Sequence, residues 1–135
     1  MSLSEDIRLG ALLHPQCSAY FDYGDDGTIL ACCAMGGAWL AQSRHPSGLS
    51  GFAYLAVWPI TTRRVPCPQC QDSARLGHIV AVHLGSDRYG ICTGPLRVRW
   101  TRERIAEWVE SIEQQEVPQP ILIDDTKEIM LVSSE

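Results

Sequence analysis

Hydrophobic and polar positions change period several times along the chain, and each change predicts an element. Near the start Leu3, Ile7, Gly10 and Ala11 share one side at helical spacing. They predict a helix from about Ser4 to Leu13, stopped by His14-Pro15. Tyr20 to Tyr23 is an aromatic segment, and Gly24-Asp25-Asp26-Gly27 after it has the composition of a tight turn. Thr28 is a suitable N-cap for a second helix over Ile29 to Gln42, rich in alanine, cysteine and glycine. Each of its glycines costs about 1 kcal/mol against alanine in a helix. The pair Gly36-Gly37 therefore predicts another element in close approach. No strand precedes it in this reading and no Gly-Lys-Ser/Thr follows, so a phosphate loop is excluded.

Ser43 to Gly51 reads as a flexible loop, and Phe52 to Ile60 as a short apolar stretch broken by Pro59. Leu76 to Leu84 fits a strand or a helix equally. The interval 85–99 is loop-like. The clearest helix runs from Thr101 to about Gln114, with Thr101 as N-cap and Ile105, Trp108, Val109 and Ile112 on one face. Ile121 to Ile123 and Ile129 to Val132 flank Asp124 to Glu128 as a C-terminal β-hairpin would. The expected fold class is α+β: a small single domain over residues 1–135, with about three helices, short strands around a cysteine-bearing turn, and that hairpin. Its core is expected around Trp39, Ile105, Trp108, Val109 and Ile112.

Composition narrows the function classes. The chain has 135 residues, of which 45% are hydrophobic and 20% charged. That is about one domain, and no apolar run approaches the roughly 18 to 20 residues that span a bilayer. The opening MSLSEDIRLG is acidic where a signal peptide would be basic, so a cytoplasmic protein without a membrane association is expected. The net charge of −5 excludes a general polyanion binder. The basic residues are nevertheless clustered: Arg97, Arg99, Arg102 and Arg104 crowd together, and Arg63 and Arg64 precede a cysteine pair.

Six cysteines without a secretion signal read as thiols rather than disulfides. Cys32 and Cys33 have the apolar flanks of buried cysteines. Cys67-Pro-Gln-Cys70 differs, because two intervening residues give one turn the bite that a tetrahedral zinc ion needs. His83 follows at the spacing of a two-cysteine, two-histidine finger. The second histidine of such a finger would fall at 87–89, where Asp87, Arg88 and Tyr89 stand. Two other completions lie within the chain: His78, or Cys92, which would give three thiolates and one imidazole. Either closed shell would be structural, with zinc the expected ion and iron the alternative for three thiolates. The competing readings are a vestigial site and a redox dithiol, although Pro66 and Pro68 suit a knuckle turn better than a thioredoxin-like helix start.

Arg8-Leu9-Gly10-Ala11, the small-residue segment, Val65-Pro66-Cys67-Pro68-x-Cys70, His83-Leu84 and Trp100-Thr101-Arg102-Glu103-x-Ile105-Ala106-x-Trp108-Val109-Glu110 together resemble a group of small uncharacterised bacteriophage and prophage proteins. The resemblance spans residues 4 to 113 and implies Cys67, Cys70 and His83 as metal ligands. Arg88 stands where that group has a further histidine. The resemblance implies a genomic setting and no reaction.

No Gly-x-Ser-x-Gly elbow or evident triad exists, and the aspartate pairs sit in turn-like contexts. The expected function is a small non-enzymatic accessory protein of phage or prophage type, a protein-interaction module with a structural Cys/His knuckle. Its partner would be another protein or a second copy of the chain. The alternative is a nucleic-acid-associated regulator using Arg97, Arg99, Arg102 and Arg104. A third reading is a thiol enzyme pairing a cysteine with His14, His45 or His78.

Overall fold

Ser2 starts the first helix. Its hydroxyl accepts from the Glu5 amide at 3.2 Å while the Glu5 carboxylate accepts from the Ser2 amide at 2.9 Å, a reciprocal cap. Helix α1 (Leu3–Ala11) then buries Leu3, Ile7 and Gly10 on one face. The computed structural model describes residues 2–85, Cys92 and residues 98–116. The expected C-terminal hairpin and most of the 85–99 loop, Arg97 included, lie outside these residues.

The second helix is shorter than the sequence suggests. Strand β1 (Phe21–Tyr23) pairs antiparallel with β2 (Ile29–Cys32), and helix α2 (Ala34–Ala41) begins only afterwards. Thr28 is not its cap. The Asp26 carboxylate accepts from the Thr28 amide at 3.1 Å and from its hydroxyl at 2.7 Å, which fastens Thr28 into the β1–β2 turn. Gly27 supplies that turn's positive φ of 84°. Cys33 caps α2 instead, its thiol accepting from the Gly36 amide at 3.4 Å.

The expected close approach is present. A Cβ on Gly10 would collide with the backbone of Gly37, and one on Gly36 with the Tyr20 carbonyl. Helices α1 and α2 therefore touch backbone to backbone, and β1's entry lies against α2.

The 43–51 loop contains a 3₁₀ turn, Pro46–Gly48, capped by His45, whose carbonyl accepts the Trp39 indole N–H at 2.8 Å. Helix α3 (Tyr54–Val57) leads through a second 3₁₀ turn, Pro59–Thr62, into β3 (Arg64–Pro66), which pairs antiparallel with β4 (Ser73–Arg75). Leu76–Leu84 is helical: α4 (Leu76–His78) continues directly as a π-helix, Ile79–Leu84. Helix α5 (Arg102–Glu116) follows, with the Thr101 hydroxyl accepting from the Arg104 amide at 3.2 Å. These helices and short antiparallel pairs make a small α+β fold.

Ile105, Val109 and Ile112 of α5 are buried as expected, and Trp39 with them, but Trp108 is only half-buried at the edge of the core. Ile7, Met35, Leu76, Ile79, Val80 and Leu84 fill the same core beside Ile105 and Val109. Burying one such side chain contributes about 1.5–3 kcal/mol. One charged residue lies among them. Asp6 is fully buried, and its Oδ2 accepts from the Trp58 indole at 2.9 Å and from the Gln42 amide at 2.8 Å. Among the described residues no helix is long and apolar enough to cross a membrane.

Candidate metal centre

The β3–β4 turn carries Cys67 and Cys70. Its shape follows from local chemistry: Pro68 presets φ after Cys67, the Cys67 amide donates to the Asp72 carbonyl at 2.9 Å, and the Gln71 amide donates to the Cys67 carbonyl at 2.9 Å. Gln71 takes a φ of 71° to turn the chain back into β4. Both sulfurs are thereby held on one side of the hairpin's end.

His83 reaches the same point from the π-helix. The wider winding, with i→i+5 hydrogen bonding, aligns residues that an α-helix would splay apart. His78 and His83 consequently share a face, their rings edge to face at 5.1 Å between centroids. His83 is buried and His78 is half-buried. Cys92, buried, completes the group from beyond the helix.

The ligand atoms of Cys67, Cys70, His83 and Cys92 lie within 4.8 Å of one another. The Cys67 and Cys92 sulfurs are 3.8 Å apart, and the Cys70 sulfur is 3.4 Å from His83 Nδ1. A tetrahedral zinc ion with its usual bond lengths needs edges of about 3.8 Å between two sulfurs and about 3.5 Å between sulfur and nitrogen. These two edges therefore already have the right lengths. A disulfide would need about 2.05 Å, and none of the six cysteines is in one. Of the two completions open from sequence, Cys92 joins the cluster. His78 does not, and packs behind His83 instead. The donor set is three thiols and one imidazole, which could hold a metal such as zinc.

Hydrogen-bond donors face two of the sulfurs. The Gln69 amide donates to Cys67 Sγ at 3.4 Å, and the Gln69 side-chain Nε2 donates to Cys92 Sγ at 3.7 Å. Gln69 Oε1 in turn accepts from the Val98 amide at 2.7 Å. One residue thus addresses two ligands and the chain that leads to α5. Nothing in the sequence hints at this role, since Gln69 reads only as a polar filler between the cysteines. Without a cation, burial pushes the Cys67 thiol up to about 12, against the pull of the Cys70 and Gln69 amides. Burial, helped by His78, lowers His83, which keeps its imidazole in the neutral form that a metal requires.

The other cysteines serve the fold. Burial raises Cys32, and it pushes Cys33, the α2 cap, up to about 11. Neither thiol has the depressed pKa of a nucleophile. The expected arginine face is largely engaged within the chain. Arg99 donates to the Ser18 hydroxyl at 2.9 Å. Arg102 reaches the Cys32 and Ala11 carbonyls at 3.5 Å each, and Arg104 lies over the Trp100 ring at 3.8 Å. His45 bonds Ser47 through Nδ1 at 2.7 Å.

Comparison with protein families, curated proteins and solved structures finds no match.

Proposed function

We propose that this chain is a small non-enzymatic binding module fastened by a structural zinc ion held by Cys67, Cys70, His83 and Cys92. The observation that carries this reading is the four-ligand cluster with two edges at tetrahedral length. Four protein ligands leave no open coordination position, so the ion stabilises rather than reacts. It joins the β3–β4 turn, the π-helix and the segment leading to α5, which the Trp100 amide donating to the Leu84 carbonyl at 2.8 Å and the Val98 amide donating to Gln69 Oε1 also tie together.

The module works through its surface. Leu9, Leu12 and Leu13 stand 41%, 82% and 52% exposed at the end of α1, which supports a protein partner or a second copy of the chain. The resemblance to phage and prophage proteins adds a genomic setting. The arginine cluster is the weaker basis for nucleic-acid binding, because Arg99, Arg102 and Arg104 already have intramolecular contacts. Thermal unfolding of metal-loaded protein tests the reading. Cys67→Ser is expected to lower the melting temperature and solubility together, and an unchanged melting temperature would overturn the structural role.

A further inference from the structure

Strands β3 and β4 set two arginines side by side. Arg64 and Arg75 are direct cross-strand partners, so their side chains leave the hairpin on one face. Like charges at such positions oppose pairing. Both residues are exposed, and the ion pairs of the described residues involve Arg8 and its two glutamates, not these arginines. Arg64 donates to the Ser73 carbonyl at 3.3 Å, which uses only part of its donor fork.

Beside this pair lies a concavity of about 270 Å³ lined by Phe52, Tyr54, Arg64, Ala74, Arg75 and His78. Phe52 is 65% exposed and meets the buried Tyr54 at 83°, with ring centroids 6.3 Å apart. Folding gains little from a phenylalanine left so open. On a chain of net charge −5, a cationic pair beside an open aromatic ring is a local feature with its own chemistry.

We propose that this concavity binds single-stranded nucleic acid, with one base stacked on Phe52 and the adjoining phosphates held by Arg64 and Arg75. An aromatic platform beside a cationic backbone track is the physical requirement for such binding. The volume falls below the roughly 300–1,000 Å³ of sites for whole drug-sized ligands, and suits a single nucleotide unit. An acidic peptide would use the arginines and leave the ring unexplained. The site is separate from Arg97, Arg99, Arg102 and Arg104, and does not rest on the metal reading.

Fluorescence anisotropy of a labelled oligothymidylate with the full chain as purified tests the proposal. Binding is expected at about 50 mM salt, and two phosphate contacts give a slope of log affinity against log salt of about −1.4. Arg64→Ala and Arg75→Ala should each lower the slope's magnitude by about 0.7. Phe52→Ala should weaken binding about tenfold and leave the slope alone. Arg44→Ala removes the same charge from a guanidinium lying over Trp39, outside the concavity, and should change nothing. All four residues are exposed, so the variants should keep the parent's melting temperature. Absence of binding at low salt overturns the proposal, as does an equal loss with Arg44→Ala. Displacement by polyglutamate as effective as by unlabelled oligonucleotide reassigns the site to acidic peptides. Displacement by inorganic phosphate as effective as by thymidine monophosphate removes the base contact, and the proposal with it.

Discussion

Gln69 concentrates the chemistry of the candidate centre at the scale of a residue. Its backbone and side chain address Cys67 and Cys92, and its carbonyl oxygen anchors Val98. Substitution by alanine leaves every ligand in place and removes the side-chain donor to sulfur. Partners of this kind set affinity by about 10–100-fold, so Gln69→Ala should bind zinc more weakly by that factor in competition with a chromophoric chelator. Cys67 gives a pH signature. Its folded, metal-free pKa of about 12 lies above the ordinary thiol value, because burial penalises the thiolate. The folded state thus holds its proton more tightly than the unfolded chain. The stability linked to Cys67 is full below about pH 8.5 and is lost as pH rises toward the folded value. Metal-free protein should therefore melt at lower temperature as pH is raised from 8 to 11. Metal-loaded protein should instead lose stability in acid, where protons compete for the thiolates. A parallel pH response in both forms would contradict a thiolate-bound ion. Asp6 is the third informative residue. Asp6→Ala strands the buried Trp58 indole N–H and removes the acceptor of the half-buried Gln42 amide, and should cost about 1–3 kcal/mol in urea unfolding.

At the scale of elements, legibility followed periodicity. Helix α5 could be read because Ile105, Val109 and Ile112 keep one period on one face and Thr101 caps it. The span from Ile29 to Gln42 could not be divided, because its small apolar residues carry no period that separates β2 from α2. The element boundary depends on Cys33 acting as a cap and on Asp26 holding Thr28, both contacts made only in the folded chain. Leu76 to Leu84 stayed ambiguous because π-winding breaks the α-helical repeat. Gly36-Gly37 was legible as a contact but not as to its partner. Gly37 meets Gly10, so Gly10→Ala drives a methyl group into the α2 backbone. The expected loss is about 1–3 kcal/mol or more in denaturant unfolding. An unchanged midpoint would mean that α1 and α2 pack less closely than described.

For the molecule as a whole, three of the four candidate ligands were legible in the sequence. Cys67 and Cys70 follow from their spacing, and His83 from its distance along the chain. The choice between His78 and Cys92 needed the fold. The π-helix sends both histidines to one face, where only His83 reaches the sulfurs, while Cys92 arrives from a segment whose path sequence spacing does not encode. The centre lies where the hairpin, the π-helix and the approach to α5 converge. Its loss should loosen these together and leave the α1–α5 contact, bridged at its surface by Arg8 with Glu103 and Glu110, less affected. The most direct test is elemental analysis of tag-free protein purified without chelator, beside a Cys70→Ser control. About one zinc ion per chain, lost in the control, is the predicted result. Protein that is folded and free of metal in both preparations would contradict the structural site on which the account rests.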